Sequence, residues 1–181
     1  ETTLGGTEVD TTDNTNFNET TLTVKIDRDD VPVLVQPETV TVDETNMAAT
    51  GSTSVSDKVD ANFFADGPGT FSANGGFFAG IPLTSNGVAV AVTLVGGVYT
   101  GKAGADTVFT LTLQPNGQYT FNLVGTLDHP NTADHNDNIA LQFGVRATDS
   151  EGDHADGVIT VNVLDDGVNA HDDFADVPTS T

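Results

Sequence analysis

The sequence predicts an all-β fold, an antiparallel β-sandwich, and three observations predict it. Apolar and polar residues alternate with a period of two, turn signals recur about every ten residues, and no amphipathic helix of useful length can be drawn. Acidic residues gather where the alternating runs end, so the sandwich is expected to carry cation-binding loops at its strand ends.

The elements follow in chain order. Residues 1–20 are Thr, Asn, Asp, Glu and Gly with almost no apolar content. Leu22, Val24 and Ile26 then alternate with Thr21, Thr23 and Lys25 and read as a strand, which ends at Asp27, Asp29 and Asp30 before Pro32. Val40–Thr45 reads as a short strand closing in Asp43 and Glu44. Thr50 to Lys58 is rich in Ser and Thr and is ambiguous. Val59 to Phe64 is expected to make a single helical turn anchored by Phe63 and Phe64. FADGPGTFSANGGFFAG follows, and its glycines predict elaborate loops, because Gly serves where the backbone takes positive φ or approaches a neighbour closely.

The second half is cleaner. Val88, Val90, Val92 and Leu94 alternate up to the Gly96-Gly97 turn, and Phe109, Leu111 and Leu113 are joined to Tyr119, Phe121 and Leu123 through Asn116-Gly117, a strong hairpin signal. Ile139, Leu141, Phe143 and Val145 form the next strand, and Ile159, Val161 and Val163 the last. Asp149, Glu151 and Asp153 surround Gly152 before that last strand, and Asp165 and Asp166 follow it, so these acids are expected at its opposite ends. The chain divides into 1–30, an N-terminal extension or the end of a preceding repeat; 31–167, the sandwich; and 168–181, a C-terminal linker. It starts at Glu1 and is expected to be a piece of a longer protein.

Charge narrows the function. Five Lys and Arg face 27 Asp and Glu among 181 residues, a formal net charge of -22. Such a charge on one small fold repels itself and destabilises the compact state, and external cations relieve it. It argues against nucleic acid and anionic membrane as partners, since both need basic surface. With no cysteine, disulfides and thiolate metal sites are excluded.

The cation this chemistry suits is calcium, several ions of it, because calcium takes six to eight oxygens from carboxylates, Asn and carbonyls in flexible geometry. The candidate ligands are Asp27, Asp29, Asp30, Glu44, Asp66, Asp128, Asp149, Asp153 and Asp165. No EF-hand is present: around Asp134, Asn136 and Asn138 the required Gly is Ile139 and the closing Glu is Val145. GKAGADTVF (Gly101 to Phe109) matches most of a calcium-binding nonapeptide, but a single copy builds no stacked roll and reads better as a turn into a strand. The four histidines (His129, His135, His154, His171) lack HExxH spacing and cysteine partners, so zinc is not expected. No motif positions a nucleophile and no Trp offers a sugar platform, so an enzyme is not expected either.

Read together, IDRDDVPVL, FADGPGTF, LTSNGVAV, QPNGQYTF, LDHP, RATDSEGD and VLDDG resemble the repeat domains of giant type I-secreted RTX adhesins of Gram-negative bacteria. The resemblance covers Val31 to Gly167, and the acidic junction segments also look cadherin-like. It implies calcium, export to the cell surface and adhesion, within a tandem multidomain protein whose domains are monomeric. Some domains of such adhesins capture peptide ends in a calcium-dependent way.

Two functions follow as expectations. The first is a calcium-dependent binding module for a protein or peptide on a host or neighbouring cell, serving attachment or biofilm. Its site is expected at Asp66, Gly67, Gly75, Gly76, Phe77, Phe78, Asp128 and His129. The glycines would leave backbone groups accessible, one of the two adjacent Phe would face outward, and a calcium on Asp66 and Asp128 would accept a C-terminal carboxylate. The second is a structural extender stiffened by calcium. An extender should hold its acids at its two poles; a binder should hold an ion in a mid-domain loop. The junction acids Asp27, Asp29 and Asp30 are expected to share an ion with Glu44 or with the loop of Asp149 and Asp153.

Overall fold

Period-two alternation puts one face of each strand toward water and the other toward a shared core. The computed structural model describes residues 29–35, 38–131, 133–134 and 136–166, and these form twelve strands. They are β1 (Val33–Val35), β2 (Glu38–Asp43), β3 (Thr53–Lys58), β4 (Asp60–Asn62), β5 (Thr70–Phe78) and β6 (Thr84–Ser85). The second half adds β7 (Val88–Val95), β8 (Val98–Ala103), β9 (Asp106–Leu113), β10 (Gln118–Leu123), β11 (Asn138–Thr148) and β12 (His154–Leu164). One sheet runs β3-β10-β9-β8-β7-β6, the other β2-β12-β11-β5, and β1 pairs with β4 alongside. The all-β sandwich expected from the sequence is the fold.

One pairing departs from an antiparallel pattern. β2 lies parallel to β12, with Val40 opposite Val161 and Val42 opposite Val163. After β2 the chain bends through a 3-10 turn (Glu44–Asn46) and one helical turn (Met47–Thr50) to enter the other sheet as β3. Such a crossover leaves β2 free of any hairpin that would force the antiparallel sense.

Aromatic rings tie the two sheets. Phe143 of β11 lies 5.8 Å from Phe109, 6.0 Å from Phe121 and 5.3 Å from Tyr99, measured between ring centroids, and all four are buried. Each such pair contributes roughly 0.5–1.5 kcal/mol beyond the area it buries. Gly101 belongs to this packing, since a Cβ there would sit 2.4 Å from the Phe109 ring. The GKAGADTVF stretch is accordingly a hairpin between β8 and β9.

Residues 59–66 correct one expectation. They form β4 and then a 3-10 turn (Phe64–Asp66), and only Phe63 is an anchor, edge-on to Phe71 at 5.7 Å. Phe64 takes φ +50° and stays exposed. Pairing of β4 with β1 satisfies backbone groups that one helical turn would have left open.

β11 and β12 set the long dimension. They pair from Asn138↔Leu164 to Thr148↔His154, so the ends of this hairpin lie about 33 Å apart at 3.3 Å per residue. Asp149–Asp153 closes one end, and Asp165 leaves the other.

Candidate metal centres

At the closed end of the hairpin, one carboxylate organises the loop. Asp149 Oδ1 accepts backbone N–H groups from Glu151, Gly152 and Asp153 at 3.0, 2.8 and 2.9 Å. Gly152 supplies the positive φ (+103°) the turn needs. Asp149 is only 7% exposed, and its second oxygen, Oδ2, is buried without a hydrogen-bond partner.

Asp66 is brought to the same place by its main chain. Its carbonyl accepts the N–H of Ser150 (3.1 Å) and the Ser150 hydroxyl (2.8 Å), and its Oδ2 accepts the N–H of Asp30 at 2.7 Å. Carboxylate oxygens of Asp29, Asp66 and Glu151 lie within 4.8 Å of one another. Asp153 is hydrogen-bonded to Asp29, and that bond, with the Asp153 charge, desolvation and the Asp149 charge, pushes the Asp29 carboxyl above its ordinary range. Three carboxylates thus converge, from the segment entering β1, the turn after β4 and the hairpin loop, and Asp153 and Asp149 of that loop act on Asp29 beside them. Carboxylates crowded together in this way are a donor set suited to a hard cation.

The opposite end is built differently. Glu44 follows β2, is 3% exposed, and accepts the Leu127 N–H on Oε1 at 2.8 Å. The His129 side chain, 2% exposed, places Nε2 at 3.7 Å from the same oxygen, and neither ring nitrogen has a hydrogen-bond partner. Asp165, just past β12, completes the group within 4.8 Å. Burial, opposed by the Leu127 hydrogen bond and reinforced by Asp165, Asp166 and Asp128, pushes the Glu44 carboxyl up to about 7. The ion pairs of Arg146 with Asp156 and of Lys58 with Asp60 lie outside both clusters.

Of the two partners expected for the junction acids, Asp29 has the second: it meets the loop of Asp149 and Asp153, whereas Glu44 stands at the other end of the hairpin. Asp66 and Asp128 are apart for the same reason. Asp128 is engaged elsewhere: its two oxygens accept the N–H groups of Gly87 (2.8 Å) and Asn86 (2.9 Å) in the β6–β7 turn, and the Gly87 bond first, then the Thr84 side chain and Asn86, hold its carboxyl below the usual range against desolvation. Asp30 contributes its N–H to the cluster. Asp27 lies outside the described residues.

The glycines of the expected peptide site have internal roles. Asn74, Gly75 and Gly76 of β5 bulge opposite Gly144 of β11. The Gly75 N–H is donated to the Tyr99 hydroxyl (2.9 Å), which itself donates to the Gly144 carbonyl (2.7 Å), and the Gly76 N–H goes to Asn74 Oδ1 (3.0 Å). Gly67 packs beside Phe63. The adjacent phenylalanines do divide as expected: Phe77 packs on Phe143 at 5.3 Å, and Phe78 is 63% exposed. Phe78 borders a shallow groove of about 430 Å³ with Ile81, Pro82 and Leu83.

Glu151 and His129 join the clusters, although neither is among the metal ligands expected from the sequence. For Glu151 a signal existed, since it alternates with Asp149 and Asp153 around Gly152. For His129 none did, because its partners lie 85 residues before it and 36 after.

No curated protein and no solved structure shows significant similarity to this chain. Residues 39–162 match a family described as "Domain of unknown function (DUF5801)", a span holding both sheets and, through Glu44, Asp66, His129 and the Asp149–Asp153 loop, most of both clusters. The chain belongs to that family.

Proposed function

We propose that this domain is a calcium-stiffened structural repeat of a secreted, tandem multidomain adhesin on the surface of a Gram-negative bacterium. The observation that carries this reading is the cluster of Asp29, Asp66 and Glu151 at the closed end of the β11–β12 hairpin, with Asp153 and the buried, unpartnered Asp149 Oδ2 in the same loop. Its donors are all oxygens, as calcium requires. Asp29, Asp66, Asp149, Glu151 and Asp153 would hold the ion, which would neutralise their mutual repulsion. Because Asp29 belongs to the segment entering β1 and the others to the body of the domain, binding would fix the entering chain against the sandwich. Acids gathered at the poles, with the mid-domain glycines occupied by a bulge, favour this reading over peptide capture.

The binding-module reading retains one specific support, the exposed Phe78 beside its groove. Calorimetry separates the two. Calcium is expected to bind wild-type protein and to bind Asp66→Asn at least about tenfold more weakly, as loss of a charged ligand should produce. Peptides with free and with amidated C-termini are expected to give no calcium-dependent heat. Calcium binding unchanged in Asp66→Asn sinks the proposed site. Preferential binding of free C-termini in calcium, lost on Phe78→Ser, replaces the extender with the binder.

A further inference from the structure

The far end of the hairpin, remote from the proposed calcium cluster, holds a donor set of another kind. We propose that Glu44, His129 and Asp165 form a binding site for a first-row divalent transition ion of the zinc class, a site absent from the sequence-based expectations. Three observations support it, and none depends on the calcium reading.

The first is the identity of the donors. One imidazole and two carboxylates suit zinc and its neighbours, whereas calcium selects six or more oxygens. The second is His129 itself. Its ring is almost wholly buried, and both nitrogens lack partners, although a buried N–H without an acceptor costs about 1–3 kcal/mol. Its Nε2 nevertheless lies among the carboxylates. The third is spacing. At 3.7 Å, Nε2 and Glu44 Oε1 are too far apart for a hydrogen bond. Two ligands of one tetrahedral zinc ion stand about 3.4 Å apart, so a shift of a few tenths of an ångström accommodates the ion.

The surroundings fit three protein ligands and one open position. Oε1 of Glu44 is tethered by the Leu127 N–H and Oδ1 of Asp165 by the Asp166 N–H (2.9 Å), which orients both carboxylates while leaving each a second oxygen. Hydrogen bonds of this sort to ligating carboxylates tune metal sites generally. Asp128 stands next to His129 but spends its oxygens on the β6–β7 turn, so it adds negative potential. A water would take the fourth place.

The test is zinc calorimetry on the full chain, stripped with chelator, dialysed and then saturated with calcium. One zinc ion is expected to bind despite excess calcium. His129→Gln should weaken that binding about 100-fold or more, the effect expected when a metal-site residue is lost, and Asp165→Asn, altered at the partly exposed rim, should weaken it at least tenfold. Calcium binding should be the same in both variants. The wild-type protein gives an independent reading by NMR: the His129 ring signals, identified by their loss in His129→Gln, should shift on adding one equivalent of zinc. Zinc that fails to bind in calcium overturns the proposal. So does zinc binding unaffected by both substitutions, or a His129 signal that does not move, since either assigns the ion to other histidines. Failure of calcium to bind, with zinc still taken up at His129, removes the calcium reading and leaves this one standing.

Discussion

The two ends of the β11–β12 hairpin both gather acidic residues near strand ends, yet they are different chemical environments. At the closed end, Asp149 spends one oxygen on three backbone N–H groups, and the buried Asp66 meets the exposed Asp29 and Glu151. At the open end, Glu44 is buried against an imidazole, with a single N–H for support. At Asp29 in the first site the hydrogen bond with Asp153 and then its charge raise the carboxyl, whereas at Glu44 in the second desolvation does. An acidic residue at a strand end therefore has no fixed meaning; the donors and the burial around it decide what it can hold.

Removing calcium should have the largest effect, and it should act through the closed end. A single ion at a thousand times its dissociation constant stabilises the native state by about 4 kcal/mol. For a domain of this size that corresponds to a melting temperature about 10 °C higher in millimolar CaCl₂ than in EDTA. Coincident melts would break the contrast, because neither end would then need an ion.

Next in size is a change at the open end, measured in chelator. With a folded-state value of about 7 against an ordinary 4.5, the Glu44 carboxyl binds its proton more tightly in the folded protein. Its contribution is therefore fully present below about pH 4.5 and is lost as pH rises to about 7. Glu44→Gln keeps an acceptor for Leu127 N–H and cannot ionise. Urea unfolding should find the variant level with wild type near pH 4.5 and more stable by about 3 kcal/mol at pH 8. A constant difference across that range would mean that Glu44 is not desolvated in the way its burial indicates.

The smallest effect sharpens the closed end. Asp149→Ala orphans three N–H groups and should cost about 2 kcal/mol in chelator. Asp149→Asn retains the amide oxygen as acceptor and should cost far less, while losing most of the calcium-dependent rise in melting temperature. Equal stability of the two variants in chelator would show that the loop does not depend on Oδ1.

Much of the fold was legible because alternation is a local property. β7, β9, β10, β11 and β12 follow from residues two apart, and the separation of Asp149–Asp153 from Asp165 follows from the length of the strand between them. β3 was not legible: Val55 is its one apolar residue among Thr, Ser, Asp and Lys, and its strand conformation comes from pairing with β10. The bulge of β5 was read as accessible loop, because the partner that occupies it, Tyr99, comes from the opposite sheet.

By itself the sequence determined the all-β class, the strands of the second half, the excess of negative charge and the gathering of acids at turns. Each of these depends only on neighbours along the chain. Tertiary structure alone decided that β2 runs parallel to β12, that Asp66 meets the hairpin loop 84 residues on through Ser150, and that His129 faces Glu44. The physical reason is that pairing direction, burial and the convergence of side chains are set by which surfaces come together. Two carboxylates equally acidic in the sequence become, once folded, a rim residue shared among its peers and a desolvated partner for an imidazole.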